Sequence, residues 1–179
     1  MSFLTKNRWA VIAVVCVLGM FGPMPISAQG SSDEYEVKAI LISKLFDFVH
    51  WPESIQMRKI EFCIVGENPF GESLDAVFSN RQDVNIRYKA NAADDYFMCD
   101  AIFLSQSETR HQDSLLVTIE SEPILTISDI QSFAVNRGMI NLTYINRRVR
   151  FIINKEKVDS VGLQLDFQLL SLADIVTSR

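Results

Sequence analysis

The sequence is poor in residues that carry chemistry. It holds two histidines, His50 and His111, in 179 positions. Neither has a second histidine at a metal-ligand spacing, so no imidazole-built metal centre is indicated. No Gly-x-Ser-x-Gly elbow and no Walker loop occurs, which leaves a serine hydrolase or a P-loop phosphatase without its signature. Basic residues are outnumbered, 17 against 22, and that excludes the positive footprint of a nucleic-acid binder. No repeat or low-complexity tract is visible. Past the first residues, no apolar run approaches the roughly 20 positions of a membrane-spanning helix.

The first 28 residues carry a different signal. Lys6 and Arg8 precede an apolar run of about 13 residues, too short to span a bilayer. Gly22, Pro23 and Pro25 break it, and Ser27-Ala28 offers a small-residue exit. Basic, apolar, breaker, small is the layout of a cleaved secretory signal. No cysteine follows the run at a lipoprotein position. Cleavage before Gln29 takes two basic residues and no acidic ones, leaving 151 residues and a balance near −7. That length suits a single α/β domain working outside the cytoplasm.

Export changes the meaning of the cysteines. Cys16 leaves with the leader, and Cys63 and Cys99 remain as a pair. In an oxidising compartment an even pair favours a disulfide. Closing a loop of about 37 residues restricts the unfolded chain by roughly 4 kcal/mol in the loop-entropy model. The spacing favours a structural staple over a reactive redox pair, which usually lies close in sequence.

Residues 33–50 read as a helix with Val37, Ile40, Leu41, Leu45, Phe48 and Val49 on one apolar face, widened by Ile42 and Phe46. A helix so apolar is buried on two sides or lies in a subunit contact. Pro52 ends it. Short apolar strands then alternate with helical stretches: strands at 60–65, 84–88, 100–104 and 123–127, helices at 70–79, 108–117 and 128–135, the last closed by Gly138. This rhythm predicts βαβ units and a mostly parallel central sheet flanked by helices. Residues 139–145 and 148–154 add a hairpin turning at Asn146-Arg147. Asn154 caps a helix over 155–161, a short strand follows at 163–165, and Asp166 caps a final helix carrying Leu169, Leu170, Leu172, Ala173 and Val176 inward. The staple requires Cα atoms about 5.5–6 Å apart. The first and third strands must then be neighbours, which gives the order 2-1-3-4.

No catalytic set and no cofactor or metal site emerges. Asp94, Asp95 and Asp100 cluster, but without the glycine and terminal glutamate of a calcium loop; a solvated face explains them better. Ligands of open parallel sheets settle beyond the strand carboxyl ends. Those ends carry Glu67, Asn68, Phe70 and Gly71, then Ser105, then Ser128 and Asp129. They are candidate ligand or partner loops, although the same residues are ordinary caps and turns. Arg147, Arg148 and Arg150 form a local positive patch on an acidic chain, a candidate partner surface or a solvated face.

Several strings, in order, resemble the YfiR family of small periplasmic proteins. They are EYEVKAILISKLFDFVHWP, FCIVGENPFG, CDAIFLSQSE, ILTISDIQSFAVNRGMINLTYINRRVRFIIN and VGLQLDFQLLSLADIV. The likeness runs from about Glu34 to Val176. Departures are Arg137-Gly138 where the family commonly has Gly-Gly, Asp166-Phe167 where it often has Ser-Ser, and the absence of a second cysteine pair. The resemblance implies an α/β fold, a homodimer, and redox sensitivity through the Cys63–Cys99 disulfide. It also implies a regulator, not an enzyme. Such a protein holds down an inner-membrane diguanylate cyclase by binding its periplasmic sensor part, and an outer-membrane lipoprotein can sequester it. The competing expectation is a periplasmic small-ligand sensor using the strand-end loops.

Overall fold

A computed structural model describes residues 29–90, 96–146 and 148–178. The leader, Asp94, Asp95 and Arg147 lie outside the described residues.

Helix α1 (Gln29–Leu45) is followed by a 3-10 turn (Phe46–Phe48) and a two-residue strand β1 (Val49–His50). The helix therefore begins and ends earlier than the apolar spacing predicts, at Gln29 and Leu45. Its last residues leave it because Phe48 and Val49 are claimed by a distant strand. Val49 pairs antiparallel with Leu165, and Asp166 N–H donates to the Phe48 carbonyl at 2.9 Å. The buried face also differs from expectation. Lys38, Ala39, Ile42 and Leu45 point inward, whereas Val37 and Ile40 are 40% and 43% exposed. Two anchors set this rotation: the ion pairs of Lys38, described below, and an aromatic cluster in which Phe46 meets Trp51, Phe62 and Phe78 edge-on.

After a single helical turn, α2 (Glu53–Gln56), come β2 (Ile60–Val65), α3 (Ser73–Phe78), β3 (Val84–Lys89), β4 (Ala101–Leu104), α4 (Gln112–Thr118) and β5 (Leu125–Ser128). The chain continues with β6 (Ile140–Ile145), β7 (Arg148–Asn154), α5 (Lys155–Ser160), β8 (Gln164–Leu165), α6 (Phe167–Leu170) and β9 (Ala173–Val176). The main sheet has seven strands in the order β3-β2-β4-β5-β6-β7-β9. Its first four strands follow the expected 2-1-3-4 order. Pairing is parallel except for the β6–β7 hairpin. The fold is a single α/β domain.

Strands β4 and β5 are buried along their whole length, as parallel strands covered on both faces must be. One face carries α1 and α3 over Phe62, Ile64, Phe103, Ile127 and Leu142. The other carries Leu115, Leu116 and Ile119 from α4 and its end over Cys63, Val65, Ile102 and Leu104. Cys63 and Cys99 are bonded on this second face, with Cα atoms 5.9 Å apart.

One expected helix does not form and another is cut short. Residues 131–137 form successive turns, not a helix, because Ser132 stands at φ 62° and Arg137 at φ 70°. A left-handed residue interrupts the helical ladder. Gly138 follows where a Cβ would collide with the Phe133 ring. Arg137 occupies a position whose backbone favours glycine, which rationalises the Gly-Gly of the resembling sequences. At the chain's end, Asp166 does cap a helix, accepting from Gln168 N–H at 2.7 Å, but α6 lasts one turn. Ala173–Val176 then becomes strand β9, parallel to β7 with Ala173 opposite Phe151. The open edge of β7 offers backbone partners that local helical spacing does not reveal. The cap at Asn154 is present as expected, accepting from Lys157 N–H.

Candidate functional site

The strand carboxyl ends converge on a charged cluster that the sequence did not disclose. Asp129 leaves β5 toward α1. Lys38 Nζ donates to Asp129 Oδ2 at 2.6 Å, and the Tyr35 hydroxyl donates to the same oxygen at 2.8 Å. Glu34, one turn before Lys38, pairs with its ammonium. Both Lys38 and Asp129 side chains are 2% exposed. The ammonium also lies 4.4 Å from the Tyr35 ring centroid. Burial, the hydrogen bond to Asp129 and the nearby carboxylates all raise the Tyr35 pKa, so this phenol stays a donor. Helical i, i+4 spacing aligns Glu34 with Lys38. The retrievable signal was a lone lysine facing the apolar side of α1.

The other strand-end candidates are engaged within the chain. Ser128 Oγ donates to the Leu104 carbonyl at 2.7 Å and accepts from Ile130 N–H. Asn141, on β6, donates to the Ser128 and Ile130 carbonyls. Ser105 is buried, and its N–H donates to the Val65 carbonyl. Glu67 N–H donates to Ser107 Oγ at 3.0 Å across the Gly66 turn. Gly66 has φ 91° and no room for a side chain against Ser107 and Glu108. Asn68 accepts from Phe70 N–H and donates to the Gly71 carbonyl. Phe70 is buried, its ring edge-on to Tyr35 at 5.5 Å and to Phe103 at 4.7 Å. The Glu67 and Gly71 positions are exposed. These residues are thus brought to one end of the sheet, where they organise the loops and seat α1.

Arg148 and Arg150 lie elsewhere. Leu142 and its partner Phe151 face α1. Side chains alternate along a strand, so Thr143 with Arg150, and Ile145 with Arg148, face the opposite way. Ile152 and its partners Asn141 and Asp174 share that face. Both arginines are exposed and Ile145 is 53% exposed. Leu172, just before β9, is 78% exposed. This half of the face is open, apolar in places, and positive at its tip.

At the amino ends of the strands, Asp100 accepts two bonds from Arg58, at 2.5 and 2.7 Å, and one from Glu61 N–H. It is a structural anchor beside the disulfide. His50 is exposed, and His111 pairs with Glu108 at 3.0 Å. Among the described residues no three metal-ligating side chains converge, and no helix is long and apolar enough to cross a membrane.

Fold and site together define a class: a disulfide-stapled α/β domain with a mostly parallel sheet, a locked strand-end cluster and an open C-terminal face. A YfiR/HmsC-like family model matches residues 35–174. The chain belongs to this family, a regulatory and non-catalytic one consistent with cyclic-di-GMP signalling.

Proposed function

We propose that this protein is exported, is cleaved before Gln29, and works in the periplasm as a repressor. It binds the periplasmic sensor part of an inner-membrane diguanylate cyclase and lowers cyclic-di-GMP, as a homodimer that an outer-membrane lipoprotein can sequester. Membership of the YfiR/HmsC-like family is the observation that carries this reading. The open face of β6, β7 and β9 supports a docking role, with Arg148 and Arg150 contributing and Arg147 their neighbour in sequence. Partner binding with these arginines on the rim gains rate and specificity from charge. The test is direct. Purified protein is titrated against the periplasmic domain of any diguanylate cyclase encoded beside it, and cyclic-di-GMP is measured in a deletion strain. Binding with a rise in cyclic-di-GMP on deletion is expected; no binding and an unchanged level would sink the proposal. Terminal sequencing of secreted material should begin at Gln29.

A second reading has one observation in its favour. Asp129 Oδ1 is buried and accepts no hydrogen bond among the described residues, as an acceptor kept for a small donor would be. A thermal-shift screen decides it, since a ligand at a hundred times its dissociation constant adds about 2.7 kcal/mol.

A further inference from the structure

Helix α4 and the successive turns at 131–137 form the two walls of a cleft of about 390 Å³, lined by Asp113, Val117, Asn136 and Arg137. Asp113 and Val117 are four positions apart, so they share one outward stripe of α4. The inward side of the helix holds Leu115 and Leu116, with Ile119 just past its end. The opposite wall is fixed by Phe133, fully buried in the same apolar cluster. Asn136 N–H donates to the Ser132 and Phe133 carbonyls at 2.9 and 3.1 Å, and Gly138 N–H donates to the Phe133 carbonyl at 2.9 Å. Both walls are therefore anchored to one core, and the cleft is formed before any ligand arrives. Its volume falls within the roughly 300–1,000 Å³ of small-molecule sites.

The lining carries both charges and leaves them unsatisfied. Among the described residues, neither the Asp113 carboxylate nor the Arg137 guanidinium has a hydrogen-bond or ion-pair partner, and the two do not pair with each other. Glu120, just past the same helix, is by contrast paired with Lys157 at 3.4 Å. Arg137 also stands at φ 70°, a backbone region that favours glycine. Strained residues of this kind cluster where a side chain must be held for a ligand. Val117 adds an apolar wall that is 53% exposed.

These four residues select the ligand. A guanidinium takes a carboxylate through two parallel bonds. A carboxylate accepts from an ammonium, and the Asn136 amide offers both a donor and an acceptor. A simple anion would bring its charge against Asp113, and a simple cation against Arg137. A molecule carrying both charges satisfies both walls. We propose that this cleft binds a small zwitterion with a free carboxylate, a free ammonium and an aliphatic side chain, the chemistry of a free amino acid or a short peptide. The carboxylate meets Arg137, the ammonium meets Asp113, and the aliphatic group lies on Val117. The cleft shares no residue with the Lys38–Asp129 cluster on the α1 side, nor with the open face of β6, β7 and β9, so it stands or falls apart from either.

The test is calorimetric titration of the purified protein with L-leucine and with L-leucyl-L-leucine. The pair separates the two sources, because the amino acid carries both charges on one carbon and the dipeptide holds them apart. At least one should saturate the protein in the millimolar range or below. The better of the two, blocked at its amine by acetylation or at its carboxylate by amidation, should bind about tenfold more weakly or worse, a difference of 1.4 kcal/mol. Arg137→Gly removes the guanidinium at a position whose backbone suits glycine; the fold should hold and binding should fall about tenfold or more. Asp113→Asn keeps the shape of an exposed helix position and should make the acetylated ligand bind as well as the free one, which serves if the glycine variant folds poorly. A ligand held by Asp129 would be indifferent to both substitutions. No binding of either zwitterion, equal binding of the blocked forms to the unaltered protein, or unchanged affinity in a folded Arg137→Gly would overturn the proposal.

Discussion

The two halves of the main sheet obey different rules. The parallel half, β3-β2-β4-β5, is covered by helices on both faces and tied by a disulfide. At its carboxyl ends the polar groups bond to one another. The C-terminal half, β6-β7-β9, is covered by α1-side residues on one face and exposes Arg148, Arg150 and Ile145 on the other. A buried polar group must be satisfied in place, whereas an exposed one is free to meet a partner. The first half therefore reads as scaffold and the second as contact surface.

The largest expected effect is at the lock of the scaffold. Lys38→Met leaves Asp129 and Glu34 without their cation, with Asp129 deeply buried. Removing one member of a buried pair costs about 3–5 kcal/mol. Urea unfolding should show that loss, and Lys38→Met with Asp129→Leu should recover part of it, since no carboxylate then remains at Asp129. A neutral single variant would dissolve the distinction between the halves.

The staple comes next. Replacing Cys63 and Cys99 together by alanine should cost roughly 2–4 kcal/mol. Hydrogen exchange should rise first in β2 and at the start of β4, since the bond ties Cys63 in β2 to Cys99 just before β4, and later in β6 and β7. Equal loosening of both halves would mean that the sheet unfolds as one unit.

What was legible in the sequence follows the same division. The 2-1-3-4 order was readable because the expectation of export, two cysteines and strand spacing constrain neighbouring strands. Caps at Asn154 and Asp166 were readable because capping is local. The Lys38–Asp129 pair was not, since its members are 91 positions apart and each has an ordinary local reading. Strand β9 was missed for a related reason. Leu169, Leu170, Leu172, Ala173 and Val176 fit a helical face, but the open edge of β7 decides their conformation. The turns at Ser132 and Arg137 escaped because helical spacing carries no information about the sign of φ. The loop candidates Ser128, Asp129 and Asn68 were placed at the correct end of the sheet; their in-chain hydrogen bonds depend on tertiary contact.

A smaller effect, on stability at least, is expected on the contact surface. Arg148→Glu with Arg150→Glu should leave unfolding free energy within about 0.5 kcal/mol, as exposed substitutions usually do. Affinity for the cyclase domain should nevertheless fall about tenfold, mainly through slower association. Surface plasmon resonance separates the rates. Lost stability with unchanged binding would assign these arginines to the scaffold instead.

The smallest effect is an acid response confined to the outer edge of the scaffold. Hydrogen bonding from Arg87 holds the Glu61 carboxyl below its ordinary pKa against the opposing effect of burial, with Asn85 assisting. Arg81 does the same for Asp83, through bonds of 2.6 and 3.1 Å. A carboxylate whose folded pKa is lowered stabilises the fold above its unfolded value, near 4. That contribution falls away as pH drops through the folded value. Glu61 joins β2 to Arg87 on β3, and Asp83 braces Arg81, which reaches the Ser43 carbonyl and Asp47, so acid should loosen this edge before the buried centre. Hydrogen exchange followed from pH 5 to about pH 3 should show β3 amides opening ahead of those in β4 and β5. Glu61→Gln should remove its part of the pH dependence, because an amide does not titrate there. Because both arginine–carboxylate pairs are partly exposed, added salt should shrink the effect. An acid response that begins in β4 or β5 would place the scaffold's weakness at its centre, not at its edge.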